Sequence, residues 1–256
     1  MKKARTAALL QAAALFSVLL LGACAPRTAA APPSGEIADP LEDMNRAIFK
    51  ANNAVDKVLI KPAAKTYRTV LPQFIQDRLR AILDNLYEPL IFANDVLQGR
   101  PRAAGITLAR FLLNSSAGLA GLFDIATSND LPKQSGDFGQ TLYFWGLEEG
   151  FYVVMPIFGP SNLRDAVGFG VDSYFDPVGI YIRNQGTTTD GLARTLVDGL
   201  DLRARNIETL DQLKREALDY YALMRSVTQQ RRRALLRESA GQSSEFDELS
   251  DPGQMP

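Results

Sequence analysis

The sequence contains no histidine. Ser-His-Asp and Cys-His catalysis, His-containing zinc sites and histidine pH sensing are thereby removed. No GxSxG elbow, Walker loop or GxGxxG fingerprint occurs. Gly159-Pro160-Ser161 is not a nucleophile elbow, because Leu163 stands where the second glycine belongs. Acidic residues are scattered throughout, so two-carboxylate chemistry stays formally open, but no motif pairs two of them. No sign of charge dominates either: 28 Lys and Arg face 29 Asp and Glu, for a net charge of −1. Such a chain is a poor nucleic-acid binder. Beyond the first residues, no apolar run is long enough to span a bilayer as a helix.

Cysteine is the next scarcity, and the single one is well placed. It lies in LLLGACAPRTAAAPPSG, residues 19–35. Before it, Lys2, Lys3 and Arg5 form a positive head, and residues 7–21 are uncharged and mostly apolar. That stretch is short for a membrane span and suits a signal-peptide core. Leu21-Gly22-Ala23-Cys24 resembles a bacterial lipobox, cut before Cys24. Residues 1–23 therefore read as a lipoprotein signal peptide, and Cys24 as the lipidation site. The competing reading is an ordinary secretory signal with an incidental cysteine. Two or more acyl chains hold a protein to a membrane where one is marginal. Ala25, rather than the aspartate that retains lipoproteins in the inner membrane of enteric bacteria, points to the outer membrane. Removal of residues 1–23 takes three positive charges and no acid, moving the net charge from −1 to −4.

The remainder is helix-rich in pattern. Residues 24–38 form an Ala- and Pro-rich flexible tether. From Asp39, apolar residues recur at helical spacing: Met44, Ile48, Phe49, Val55 and Leu59, then Phe74, Ile75, Leu79, Ile82, Leu83 and Leu86. Pro62 ends the first helix or starts the next, Pro72 opens another, Pro89 breaks or kinks it, and residues 99–101 close the next piece. Residues 103–126 are the most apolar mature segment, interrupted by Arg110 and Asn114. A buried core helix followed by a Gly-rich turn is the preferred reading; a helix lying in a lipid leaflet is the alternative. Asn85 and Asn114 are expected to satisfy buried backbone groups.

Residues 136–168 are dense in glycine and aromatics. Residues 151–158 resemble a strand, but no second strand of comparable quality is evident to pair with it. Residues 188–237 read as one long helix, in which Arg231, Arg232 and Arg233 suit the dipole of its last turns or meet anionic headgroups. Residues 238–256 are acidic and polar and are expected to be disordered.

Several stretches together resemble the VacJ/MlaA family of outer-membrane lipoproteins. They are DPLEDMNRAIFKANNAVDK (39–57), KPAAKTYRTVLP (61–72), NLYEPLIFANDVLQG (85–99), RFLLNSSAGLAGLFDIA (110–126), DFGQTLYFWG (137–146) and VVMPIFGPSNLRDAVG (153–168). They keep the family's order and place the domain at residues 39–237. The resemblance implies an all-α, ring-like helical body in the inner leaflet of the outer membrane, with a central amphipathic channel. It implies phospholipid as transported cargo, leaving the outer leaflet through that channel to preserve outer-membrane lipid asymmetry. The implied partners are the outer-membrane bilayer, a trimeric porin and a soluble periplasmic phospholipid carrier. No cofactor and no catalytic residue is implied beyond the covalent lipid on Cys24. A lipid hydrolase or a structural tether between membrane and cell wall remains the alternative.

For the lipid path the candidates are Phe151, Tyr152, Met155 and Phe158, although aromatic and methionine stripes more often serve as core. Arg164 is the candidate headgroup contact, against the simpler role of ordering a loop beside Asp165. Gly146 and Gly150, flanking Leu147-Glu148-Glu149, are candidate gating hinges or the ends of a static turn.

Overall fold

The computed structural model describes residues 38–184 and 189–241. The signal peptide, Cys24, nearly all of the tether and most of the acidic tail lie outside them. The chain opens on α1 (Glu42–Val55), whose first turn carries Glu42 and Asp43, acids that suit the helix dipole. A π-helical turn, Asp56–Ile60, joins it to α2 (Lys61–Val70). Proline in a helix removes a donor and crowds the carbonyl four residues back. Pro62 sits in the first turn of α2, directly after that π-turn, so the rod continues with a wider turn instead of stopping.

Helix α3 (Gln73–Leu97) follows Pro72 and contains Pro89 in its interior. Of the two outcomes expected at Pro89, a break or a kink, the break does not occur. Buried side chains on both sides of it hold the helix in place: Asn85 and Glu88 before, Asn94 and Asp95 after. Each finds a partner on a neighbouring segment. Asn85 Nδ2 donates to Ser115 Oγ at 3.0 Å, Thr107 Oγ1 to Asp95 Oδ2 at 2.9 Å, and Asn94 Nδ2 to Asp172 Oδ1 at 3.0 Å. Asn85 thus bonds a hydroxyl, not the backbone group expected of it, and its Oδ1 stays without a partner. Asn114 does serve the backbone, accepting from Ala126 N at 2.9 Å.

Helix α4 (Pro101–Ser116) packs against α3. Its buried face is Ala103, Ala104, Thr107, Arg110 and Asn114, while Leu108 and Leu112 are exposed. The preferred reading of this segment as an apolar core helix is therefore inverted. The polar interruptions point inward and the leucines outward. The same inversion runs through the body. Among the described residues, Asn45, Gln76, Asn94, Asp95, Gln140, Thr141 and Asp201 are almost fully buried. Val58, Leu59, Val70, Phe74, Phe175 and Leu196 are exposed. The apolar clusters inside are small, Tyr152 with Val154 and Tyr221, and Ala64 with Ala204 and Ile207.

Short helix α5 (Phe138–Phe144) is followed by the one departure, among the described residues, from an all-α class. Strands β1 (Tyr152–Met155) and β2 (Gly159–Asn162) pair antiparallel, with Tyr152 opposite Asn162 and Met155 opposite Gly159. The second strand, GPSN, has no strand-like pattern, and its proline is tolerated because it lies at a sheet edge. The outer edge of β1 is satisfied by a helix. Asn45 Nδ2 donates to Tyr152 O at 3.1 Å and Asn45 Oδ1 accepts from Val154 N at 2.9 Å. Two helical turns on, Asn52 repeats the pattern with Met155 O at 2.9 Å and Ile157 N at 2.8 Å. Two asparagines on α1 thus replace a third strand, which answers why a lone apolar run folds as β here.

Helices α6 (Leu163–Phe175) and α7 (Pro177–Asn184) follow. The expected single helix over 188–237 is three helices: α8 (Thr189–Arg205), α9 (Ile207–Glu216) and α10 (Tyr220–Ser239). The last break has a local cause. Asp219 accepts from Tyr221 N at 3.0 Å and Ala222 N at 3.1 Å, starting a new helix, while Ala217 is extended. It also has a tertiary one. Ala204 and Ile207 pack with Ala64 of α2, whereas Tyr221 packs on β1. One straight rod does not serve both.

Candidate functional site

Two of the ion clusters in the described polar interior tie its helices together. In the first, Arg110 is 1% exposed. Its Nε donates to Glu88 Oε1 at 2.8 Å, its Nη2 reaches Asp124 Oδ1 at 3.3 Å, and its Nη1 donates to Leu131 O at 2.6 Å. Burial pushes the Glu88 carboxyl up, opposed by Arg110. Burial also acts on Asp124, but hydrogen bonds from Thr127 and Asn114 and the charge of Arg110 outweigh it and hold its pKa at about 2. This cluster ties α3, α4 and the turn after α4 together.

The second cluster joins α5, α6 and α10. Asp137 caps α5, accepting from Gln140 N at 2.8 Å; Asn162 caps α6, accepting from Asp165 N at 2.8 Å. Arg232 of α10 lies between them, hydrogen-bonded to Asp137 through Nη1 at 2.6 Å and Nη2 at 2.7 Å and to Asp165 Oδ1 through Nη2 at 3.0 Å. Burial alone raises the Asp137 carboxyl, but Arg232 and Gln140 leave its pKa below the ordinary range. Asp172 lies close by and is different. Its partners are neutral, Phe138 N at 2.8 Å and Asn94 Nδ2 at 3.0 Å, and burial raises its pKa.

Beside this cluster opens a cavity of about 420 Å³, bounded by the hairpin, α6 and α10. One part of its wall is apolar, with Met155, Pro160, Phe169 and Leu235; another is ionic, with Asp165, Asp172, Arg231 and Arg232. It therefore offers an apolar and a charged surface to the same occupant. Among the described residues no group of Cys, Asp and Glu is placed to hold a metal ion.

The predicted path residues do not share one environment. Met155 lines the cavity, and so does Tyr152, but Tyr152 is 1% exposed and packs in the core against Tyr221. Phe151 is half-buried ahead of β1. Phe158 is exposed at the hairpin tip, 4.5 Å from the ring of cavity residue Phe169. Arg164 is buried, donates through Nε to Asp165 at 3.0 Å and lies 5.5 Å from the Tyr143 ring. It is not among the cavity-lining residues. Cys24 lies outside the described residues.

Gly146 ends α5 in a Schellman motif. Its φ is +87°, its N–H donates to Tyr143 O at 2.9 Å, and Leu147 N donates to Leu142 O at 2.9 Å. Gly150 has φ +69° and abuts Leu163. Between them Glu149 is tied to Arg233 at 2.7 Å. These contacts give the segment the features of a held turn. Gly146→Ala is expected to cost about 1–2 kcal/mol, the left-handed penalty for an L-residue. Differential scanning calorimetry of the purified variant reads it. A variant that melts with the wild type yet alters lipid flux would instead favour the hinge role.

Sequence reasoning missed Asp137, Asp172 and Gln229 as site residues and named Arg231 only together with its two neighbours. Asp137 was legible as the first residue of DFGQ, an N-cap three residues before a glutamine. Arg232 was visible only as one of three arginines, and nothing local distinguishes it from its neighbours.

A family model described as MlaA lipoprotein matches residues 37–235. The chain belongs to this family. Among MlaA relatives, the intermembrane phospholipid transport system lipoprotein MlaA of Haemophilus influenzae is 34% identical over 217 residues, 83% of this chain and 84% of that protein. The protein of the same description from Escherichia coli K12 is 31% identical over 226 residues, 87% and 86% of the two chains. A solved structure described as the structural basis for maintenance of bacterial outer membrane lipid asymmetry superposes with a TM-score of 0.69 at 30% identity. It covers 78% of this chain and 99% of that one. The MlaA family consists of non-enzymatic lipid-transport lipoproteins, in keeping with a chain that carries no histidine.

Proposed function

We propose that this protein is an outer-membrane lipoprotein, anchored through Cys24, that removes mislocalised phospholipids from the outer leaflet through an amphipathic channel. It passes them to a soluble periplasmic carrier and works beside a trimeric porin. The observation that carries this reading is the inverted burial. A water-soluble domain hides its apolar side chains; here polar side chains are buried and large apolar ones face out. A body embedded in one leaflet needs that arrangement, and no described helix is long and apolar enough to cross a membrane. A phospholipid in transit needs an apolar wall for its tails and a polar one for its headgroup, since a buried unpaired phosphate costs many kcal/mol. The cavity beside Arg232 has both. Family membership supports the same reading.

The test is complementation of a strain lacking the gene, with radiolabelled phospholipid followed in the outer leaflet. Wild type is expected to clear the label intact, and Cys24→Ala to fail to do so. Recovery of hydrolysed lipid would replace transport by hydrolysis. Clearance unchanged in Cys24→Ala would remove the anchor from the mechanism.

A further inference from the structure

The cavity wall holds four acids and two arginines, and their internal pairing leaves an uneven remainder. Asp137 and Asp165 are neutralised by Arg232, with Arg164 behind Asp165; Glu149 is neutralised by Arg233. Two lining groups are left over. Arg231 is exposed and has no ion pair or hydrogen bond among the described residues. Asp172 is bonded only to neutral donors, one on each oxygen, so each oxygen keeps acceptor capacity. Among the described residues, one cation and one carboxylate thus lack an ion-pair partner in the same cavity.

Two further lining groups lack partners. Among the described residues, the buried Tyr152 hydroxyl and Gln229 side-chain Nε2 find no hydrogen-bond partner, on residues 1% and 8% exposed. Burying such donors unpaired is costly, and native structures seldom retain them without a reason. A ligand with several acceptor oxygens would satisfy both. The apolar wall, with Met155 and Phe169, asks the same ligand for a hydrocarbon portion.

We infer that this cavity is a headgroup site for a zwitterionic glycerophospholipid, with the phosphate on Arg231, the ammonium toward Asp172, and Tyr152 and Gln229 donating to the phosphate or ester oxygens. The inference rests on the transport reading and deepens it by naming the class of cargo. A purely anionic headgroup satisfies Arg231 but brings its remaining groups against Asp172 with no positive charge to offer. Free phosphate shares the Arg231 chemistry and leaves the apolar wall empty.

Full-length, lipidated protein in detergent is incubated with equal amounts of phosphatidylethanolamine and phosphatidylglycerol, and bound lipid is read by native mass spectrometry. Wild type is expected to hold the ethanolamine lipid in preference. Arg231→Gln is expected to lower capture of both lipids by about tenfold, the scale of one charge-assisted hydrogen bond. Asp172→Asn is expected to abolish the preference while capture continues. Melting curves verify that each variant is folded. Should Asp172→Asn not fold, competition on the wild type decides: phosphoethanolamine must displace more lipid than glycerol phosphate does. Displacement by inorganic phosphate as effective as by phosphoethanolamine would make this a free-phosphate site and overturn the lipid assignment. Equal capture of the two lipids by wild type, or undiminished capture by folded Arg231→Gln, overturns the inference and leaves transport standing. No bound lipid in the wild type overturns both.

Discussion

Arg110→Met is expected to leave little folded protein. The substitution keeps most of the aliphatic volume and removes the charge. Glu88, 3% exposed, then loses its ionic partner, and Asp124 loses one of its donors. Breaking a buried ion pair from one side costs about 3–5 kcal/mol, because the remaining charge stays buried and uncompensated. The carbonyl of Leu131 also loses the Arg110 donor. For a domain of this size the loss corresponds to a melting shift on the order of 10 °C. Cellular abundance and a thermal melt in detergent measure it. The double variant Arg110→Met with Glu88→Gln is expected to recover part of the loss, since no uncompensated charge remains at position 88. A single variant as stable as wild type would mean that water reaches Glu88 and that the interior is not sealed there.

Gly168→Ala is expected to be the most damaging methyl group that can be added to α6. A Cβ at this position would lie 2.3 Å from the Gly139 nitrogen and 2.6 Å from its Cα. Both are backbone atoms, so no side chain can swing aside, and α5 and α6 must separate. Overpacking of this kind costs about 1–3 kcal/mol. Separation has a second consequence, because the two helices carry Asp137 and Asp165, and Arg232 bridges them. Lipid transport is therefore expected to fall further than the melting temperature does. Gly170→Ala is the control: it lies on the same helix, its Cβ meets nothing within 4 Å, and alanine favours helix over glycine. Equal loss in both variants would attribute the effect to the helix as a whole, not to the contact with Gly139.

The residue order was enough for several decisions. The proline and glycine positions located several helix ends in the first half of the chain, because φ limits and missing donors act locally. Gly99-Arg100-Pro101 closes α3 as expected, with α4 beginning at Pro101, and Pro72 is the residue from which α3 starts. The absence of histidine and of nucleophile motifs removed whole classes of chemistry without any coordinates. The ordered stretches from DPLEDMNRAIF to VVMPIFGPSNLRD carried the family.

Other features depended on partners far away in sequence. Asn45 and Asn52 look like ordinary polar positions on a helix; only the approach of residues 152–157 makes them the missing strand edge. Pro89 looked like a break, and contacts on both sides of it keep α3 continuous. Hydrophobic periodicity shows that a helix has two faces but not which medium each face meets. The leucines of α4 were read as core for that reason, and the structure turns them outward because Arg110 and Asn114 find acidic partners in the buried Glu88 and the half-buried Asp124. The site was hidden by the same physics. Arg231, Arg232 and Arg233 are identical as letters, and only the positions of Asp137, Asp165 and Glu149 pair the last two and leave Arg231 facing the cavity.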